Sequence, residues 1–123
     1  MSLGQVVPVI RIFDEAKAKE FYIDFLGFKL DWEHRFDANA PLYLQVSKDI
    51  CILHLSEHYG DGSAGITINI EIDDIDAFNQ RLLAKQYKYA KPGIEDMPWG
   101  SRIMAIRDPF GNKLAFTTET HNS

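Results

Sequence analysis

Four histidines, one cysteine and a pair of adjacent aspartates are the residues of this chain most able to do chemistry. His54 and His58 stand four apart in "HLSEH", with Glu57 between them, which resembles a metal-ligand cluster. Residues four apart share a face only on a helix. Here the apolar run 50–55 reads as a strand ending near His54, and His58 enters a glycine-rich stretch, so the spacing argues against a shared metal. His34 lies at the end of another strand-like run and His121 in the tail. Cys51 sits in an apolar strand, where a thiol is expected to be buried and inert. Asp73 and Asp74 precede a helical pattern, a position that capping explains. No Gly-Lys-Ser/Thr loop, dinucleotide glycine fingerprint or nucleophile elbow occurs. "GDGSAG" (60–65) lacks the lysine and the helix needed to hold phosphate and reads as a connector.

The elements that must carry these residues follow from periodicity. Gln5 to Ile12 reads as a strand; Asp14 is an N-cap, and Glu15 to Leu26 is helical, with Ala18, Phe21, Tyr22 and Phe25 on one face and Gly27 at its end. Phe28 to Phe36 is a strand, "DANAP" (37–41) a turn, and Leu42 to Val46 with Ile50 to Leu55 a hairpin. "SEHYGDGSAG" (56–65) is the best internal linker. Ile66, Ile68, Ile70 and Ile72 alternate with Thr67, Asn69 and Glu71, the pattern of a strand with one face on a core and the other open. Asp74 caps a second helix running to about Lys85. Strands at about 87–90, 101–107 and 113–118 complete the chain. Ile10 to Asp14 lies over Ile70 to Asp74 at an offset of 60 residues, which suggests duplication of a βαβββ unit.

A chain of 123 residues favours one domain. The expected architecture is α+β: module one at about 5–56 and module two at about 66–119 form a curved mixed sheet, with a concave ligand face and helices on the convex side. Hydrophobic residues are 46% and charged residues 25%, the balance of a soluble globular protein. No apolar run suits a membrane span, "MSLGQ" lacks the features of a signal peptide, and a lone cysteine cannot form an internal disulfide, so a cytoplasmic setting is expected. Thirteen basic against 18 acidic residues, without a basic stripe, disfavours nucleic acid. The net charge of −5 suits a cationic ligand, or simply solubility.

"VPVIRIFD", "FYIDFLGF" and "PWGSRIMAIRDPFGN" together resemble the vicinal oxygen chelate superfamily of glyoxalases, extradiol dioxygenases and resistance proteins, over about residues 5–119. In that superfamily, enzymes hold a divalent metal through His, His and Glu. The resemblance puts those positions at Val7, Thr67 and Ala115, none of them a usual ligand. It therefore implies no metal and no cofactor, and points to the bleomycin-resistance branch, whose members bind drugs unchanged at homodimer grooves. Pro8 stands where that branch exchanges its first strand, and a plain edge strand fits it equally.

The expected function is metal-independent sequestration of a planar, cationic small molecule or antibiotic by a homodimer. The alternative is a lyase, isomerase or dioxygenase-like enzyme on a small oxygenated substrate, and a ligand sensor is a third reading. The resemblance places Trp32, Phe36 and Trp99 as stacking aromatics. Asn69 stands where bleomycin binders carry an aromatic. Met97 and Tyr43 suit either the site wall or the core, and Trp32 either a clamp or the core. Asp31, Glu33, Asp37, Glu71 and Asp96 are candidates for an acidic rim.

Overall fold

Asp14 and Asp74 do the same work in two places. In the computed structural model, which describes residues 1–119, Asp14 accepts a hydrogen bond from Lys17 N at 2.8 Å and Asp74 one from Ala77 N at 3.0 Å. Each satisfies an amide that the first turn of a helix leaves unpaired. The chain divides into two compact units, Met1–Ala64 and Gly65 onward, the break falling inside the glycine-rich stretch. His121 lies outside the described residues.

In the first unit, β1 (Val9–Arg11) is followed by α1 (Glu15–Lys19), β2 (Lys29–His34), β3 (Tyr43–Lys48) and β4 (Cys51–Ser56). The sheet order is β1-β4-β3-β2, with β1 parallel to β4 and the other pairs antiparallel. The second unit repeats this plan. It contains β5 (Thr67–Glu71), α2 (Ile75–Ala84), β6 (Glu95–Asp96), β7 (Ser101–Arg107) and β8 (Lys113–Glu119) in the order β5-β8-β7-β6. Again only the first pair is parallel. Two four-stranded mixed sheets with a helix in each unit make an α+β fold of two βαβββ modules.

Each core lies between a helix and one sheet face. In the first unit Ala18, Phe21, Tyr22 and Phe25 pack with Ile10, Leu44, Val46, Leu53 and Leu55, all buried. Burying a side chain of this size stabilises by roughly 2 kcal/mol. Beyond Lys19 the helix widens into a π-helical segment, Glu20–Phe25, with Leu26 N bonded to Phe21 O at 2.9 Å. The extra residue per turn lets neighbouring Phe21 and Tyr22 both reach the core, their rings edge-to-face at 4.9 Å. In the second unit Ile75, Phe78 and Leu82 of α2 cover Met104, Ile106, Leu114 and Phe116. Phe78 meets Phe116 at 5.0 Å.

Two expected strands differ. The first begins at Val9 rather than Gln5, because Pro8 has no N–H to give the ladder; its carbonyl still accepts from His54 N at 3.0 Å. Residues 87–90 form a turn, and the edge strand is Glu95–Asp96 instead. Tyr87 and Tyr89 alternate as in a strand, yet their rings pack on each other at 5.5 Å, and β7 takes Glu95 and Asp96 as its partners.

The "RDPFGN" turn is structural. Asp108 Oδ1 accepts from Phe110 N and Asn112 N, both at 2.8 Å, and Asn112 Nδ2 donates to Asp108 Oδ2 at 2.9 Å. Asn112 Oδ1 accepts from Gly65 N at 2.9 Å, tying the β7–β8 turn to the chain entering β5. Gly111 supplies the positive φ of 89° that closes the turn.

Candidate functional site

Strand alternation assigns the open face of the first sheet. Leu44, Val46, Leu53 and Leu55 point into the core, so Tyr43, Gln45, His54 and Ser56 point the other way. Continued alternation along β2 would send Trp32 to the core side with Leu30. A one-residue bulge prevents this: Leu30 pairs with Val46, but Trp32 pairs with Gln45, leaving Asp31 as the extra residue. The bulge turns Trp32 onto the open face, where it is 43% exposed. Trp32 is therefore not a core residue.

The same shift sends Glu33 and Arg35 towards the helix. Glu33 pairs with Lys19 at 2.8 Å, and Arg35 bonds to Glu15. These contacts anchor the strand beyond the bulge. They also remove Glu33 from the expected acidic rim. Asp96 is likewise engaged by Arg102 at 2.9 Å, in a bridge that also includes Asp76.

On the open face, Trp32 and Tyr43 stack with ring centres 6.0 Å apart and planes 10° from parallel. His54 packs edge-on against both, at 5.3 Å from Trp32 and 5.2 Å from Tyr43. Phe36 is 81% exposed and meets His34 edge-on at 5.2 Å. Of the six expected site residues, Trp32 and Tyr43 are in direct contact, with Phe36 just beyond the end of the same strand, β2.

In the second unit, Asn69 is exposed on the open face of β5, directly across from Ala115, which pairs on its other side with Ala105. Thr67 lies one pleat away, beside Lys113. Met97 is half-buried in the β6–β7 turn, its N–H bonded to Ser101 O at 2.7 Å; Trp99, in the same turn, is 66% exposed.

Sequence reasoning missed the polar chain beneath the stack. Tyr43 Oη lies 2.7 Å from His54 Nδ1, and His54 Nε2 lies 2.8 Å from Gln45 Oε1. Gln45 Nε2 donates to Asp31 Oδ2 at 3.1 Å. Hydrogen bonds from Gln45 and Ser47, and the charge of Lys29, hold the Asp31 carboxyl below its usual range. The alternation of Tyr43, Gln45 and Ser47 with Leu44 and Val46 was the available signal.

His54 and His58 both border the Tyr43 ring, while Glu57 bonds elsewhere. Glu57 accepts from Leu42 N at 3.0 Å, and His58 lies 6.3 Å from the Tyr43 ring. Among the described residues no three His, Cys, Asp or Glu side chains come together as a metal site. Cys51 is half-buried, and burial together with Asp49 pushes its thiol pKa up.

Burial lowers the pKa of His54 from the ordinary 6.5, favouring the neutral ring. Its stabilising contribution is complete above the unfolded value and is lost as pH falls below about 6.5, because the unfolded chain then binds the proton more readily. The melting temperature should therefore decline as pH falls below about 6.5, and less steeply in His54→Phe. Identical pH profiles for the two proteins would contradict this assignment.

The glyoxalase superfamily model matches residues 1–123. The chain belongs to the glyoxalase superfamily. A search of curated proteins finds no match. Among solved structures, this superfamily member is similar to TnmS3, an antibiotic-binding protein from Streptomyces sp. CB03234, with 24% identity and a TM-score of 0.75 over 98% of this chain and 99% of that one. It is also similar to a glyoxalase/bleomycin resistance protein/dioxygenase superfamily member from Sphaerobacter thermophilus DSM 20745, at 27% identity and TM-score 0.71 over 95% and 98%. A bleomycin-binding protein complexed with bleomycin aligns at 21% identity and TM-score 0.68, over 95% and 99%. Bleomycin and antibiotic binders thus stand among the proteins that share this glyoxalase-superfamily fold. No helix among its described residues is long and apolar enough to cross a membrane.

Proposed function

We propose that the chain is a small-molecule binding protein that sequesters a planar, cationic ligand of the antibiotic class on the open face carrying Trp32. The observation that carries this is the Trp32–Tyr43 stack, which leaves a large indole 43% exposed beside an ordered polar chain. An exposed aromatic of this size offers a stacking surface, and the net charge of −5 favours a cation. Antibiotic binders of the same fold support the ligand class. Phe36, Asn69, Met97 and Trp99 are proposed as further ligand contacts.

The protein is proposed to act as a cytoplasmic homodimer with the ligand at the subunit interface and without metal, since Val7, Thr67 and Ala115 offer no usual ligand set. Tight binding alone protects when protein exceeds drug, so no reaction is needed. A thermal-shift screen tests this reading. Bleomycin-type drugs should raise the melting temperature, whereas zinc, nickel and manganese should not. Stabilisation by a metal but by none of the drugs would overturn the reading in favour of a metal-dependent enzyme. Light scattering on the same samples should give twice 14.1 kDa.

A further inference from the structure

The hydrogen-bond chain beneath Trp32 has a direction, and that direction is set at its far end. An ionised carboxylate only accepts, so Asp31 takes its hydrogen bond from the Gln45 amide nitrogen. This turns Gln45 Oε1 to His54, which must place its proton on Nε2 to donate there. A neutral His54 protonated on Nε2 has an unprotonated Nδ1, which accepts from the Tyr43 hydroxyl at 2.7 Å. The single hydroxyl proton of Tyr43 is thereby committed. Its oxygen retains lone pairs and nothing to donate. Among the described residues no other group is hydrogen-bonded to it.

We propose that Tyr43 makes this face selective for hydrogen-bond donors: a ligand stacked on Trp32 must present an N–H or O–H to the Tyr43 oxygen, and one presenting only acceptors is rejected. The inference rests on the stacking reading above and adds to it the chemistry of the ligand's edge. A second group agrees with it. Ser56, the cross-strand partner of Tyr43, donates to Asp61 Oδ2 at 2.7 Å, which fixes a carboxylate on the same side of the sheet. The Asp61 charge also raises the Tyr43 pKa, after burial, so the phenol stays protonated. An acceptor-only oxygen beside a carboxylate suits a protonated amine or amidine on an aromatic ring. An acceptor-only ligand would set two lone pairs facing each other, with neither group hydrogen-bonded once water is displaced.

Three dyes test this by titration of tryptophan fluorescence at pH 7.5. 9-Aminoacridine and 10-methylacridinium are both planar cations of similar size, but only the first carries N–H donors. The wild type should bind 9-aminoacridine about tenfold more tightly than 10-methylacridinium. In Tyr43→Phe the ratio should fall to within about twofold. 9-Fluorenone is planar and carries only an acceptor. His54→Phe keeps a ring against Trp32 and releases the Tyr43 proton, so this variant should bind 9-fluorenone at least about fivefold more tightly than the wild type does. A cooperative thermal melt of His54→Phe excludes a gain that comes from apolar surface exposed by misfolding. Equal affinity of the wild type for the two acridines, with both weakened by Trp32→Ala, would overturn donor selection and leave the stacking site standing. An unchanged ratio in Tyr43→Phe, or no gain for 9-fluorenone in His54→Phe, would also overturn it. If none of the dyes binds, the stacking reading falls, and donor selection falls with it.

Discussion

Trp32→Ala is expected to weaken binding of a planar cationic drug by about 1–3 kcal/mol, roughly 5- to 150-fold, while leaving the protein folded. The bulge at Asp31 places the indole on the open face, so its removal takes away the proposed ligand contact and few core contacts. Truncating a fully buried tryptophan would cost about 3–5 kcal/mol of stability; at 43% exposure the cost should be nearer about 2 kcal/mol. Calorimetric titration and thermal melts on the same samples separate the two effects. Trp99→Ala should weaken binding within the same range of about 1–3 kcal/mol, with even less effect on stability, because Trp99 is 66% exposed in a turn. A Trp32→Ala protein that binds normally but melts many degrees lower would show that the indole is structural.

Asn112→Leu is expected to be the more damaging change to the fold. Asn112 is fully buried, and its side chain bonds to Asp108 Oδ2 at 2.9 Å, Gly65 N at 2.9 Å and Ile66 N at 3.4 Å. Leucine has similar bulk and no polar atoms, so the buried Asp108 carboxylate loses a donor and two amides lose their acceptor. The expected cost is about 3–4 kcal/mol, or roughly a 10 °C fall in melting temperature. Thermal unfolding followed by circular dichroism measures it. A fall of only a degree or two would show that water or a neighbouring group replaces these bonds. The "RDPFGN" stretch is thus a device for joining strands, and its presence in a sequence speaks to the fold before it speaks to any ligand.

How legible each feature was depended on how local its cause is. The isoleucines of 66–72 and the caps at Asp14 and Asp74 are set within a few residues, and both units, with their βαβββ order, follow from them. The face of Trp32 was not legible. It depends on one bulged residue, and periodicity along β2 alone points the indole to the wrong side. Tyr87 and Tyr89 alternate like a strand but have no strand to pair with, whereas Glu95 and Asp96 gain theirs from the turn through Trp99. In the sequence, the nearest candidate partners of His54 are Glu57 and His58. The actual partners of His54, Tyr43 and Gln45, come from the register of β3 on β4. The candidate site was legible as residue types on particular strands; the hydrogen bonds that orient it were not, because they join residues 9 to 14 positions apart.

The chain contains two tryptophans, Trp32 and Trp99, so a proton–nitrogen correlation spectrum should show two indole N–H signals. Trp32→Ala assigns them by deleting one. Titration with a bleomycin-type drug tests the central claim, that the ligand lies on Trp32, with a readout at the residue itself. The account predicts that the Trp32 indole signal moves with drug concentration and saturates, because ring stacking changes its magnetic environment. A drug that binds by calorimetry while the Trp32 indole signal stays in place would contradict it.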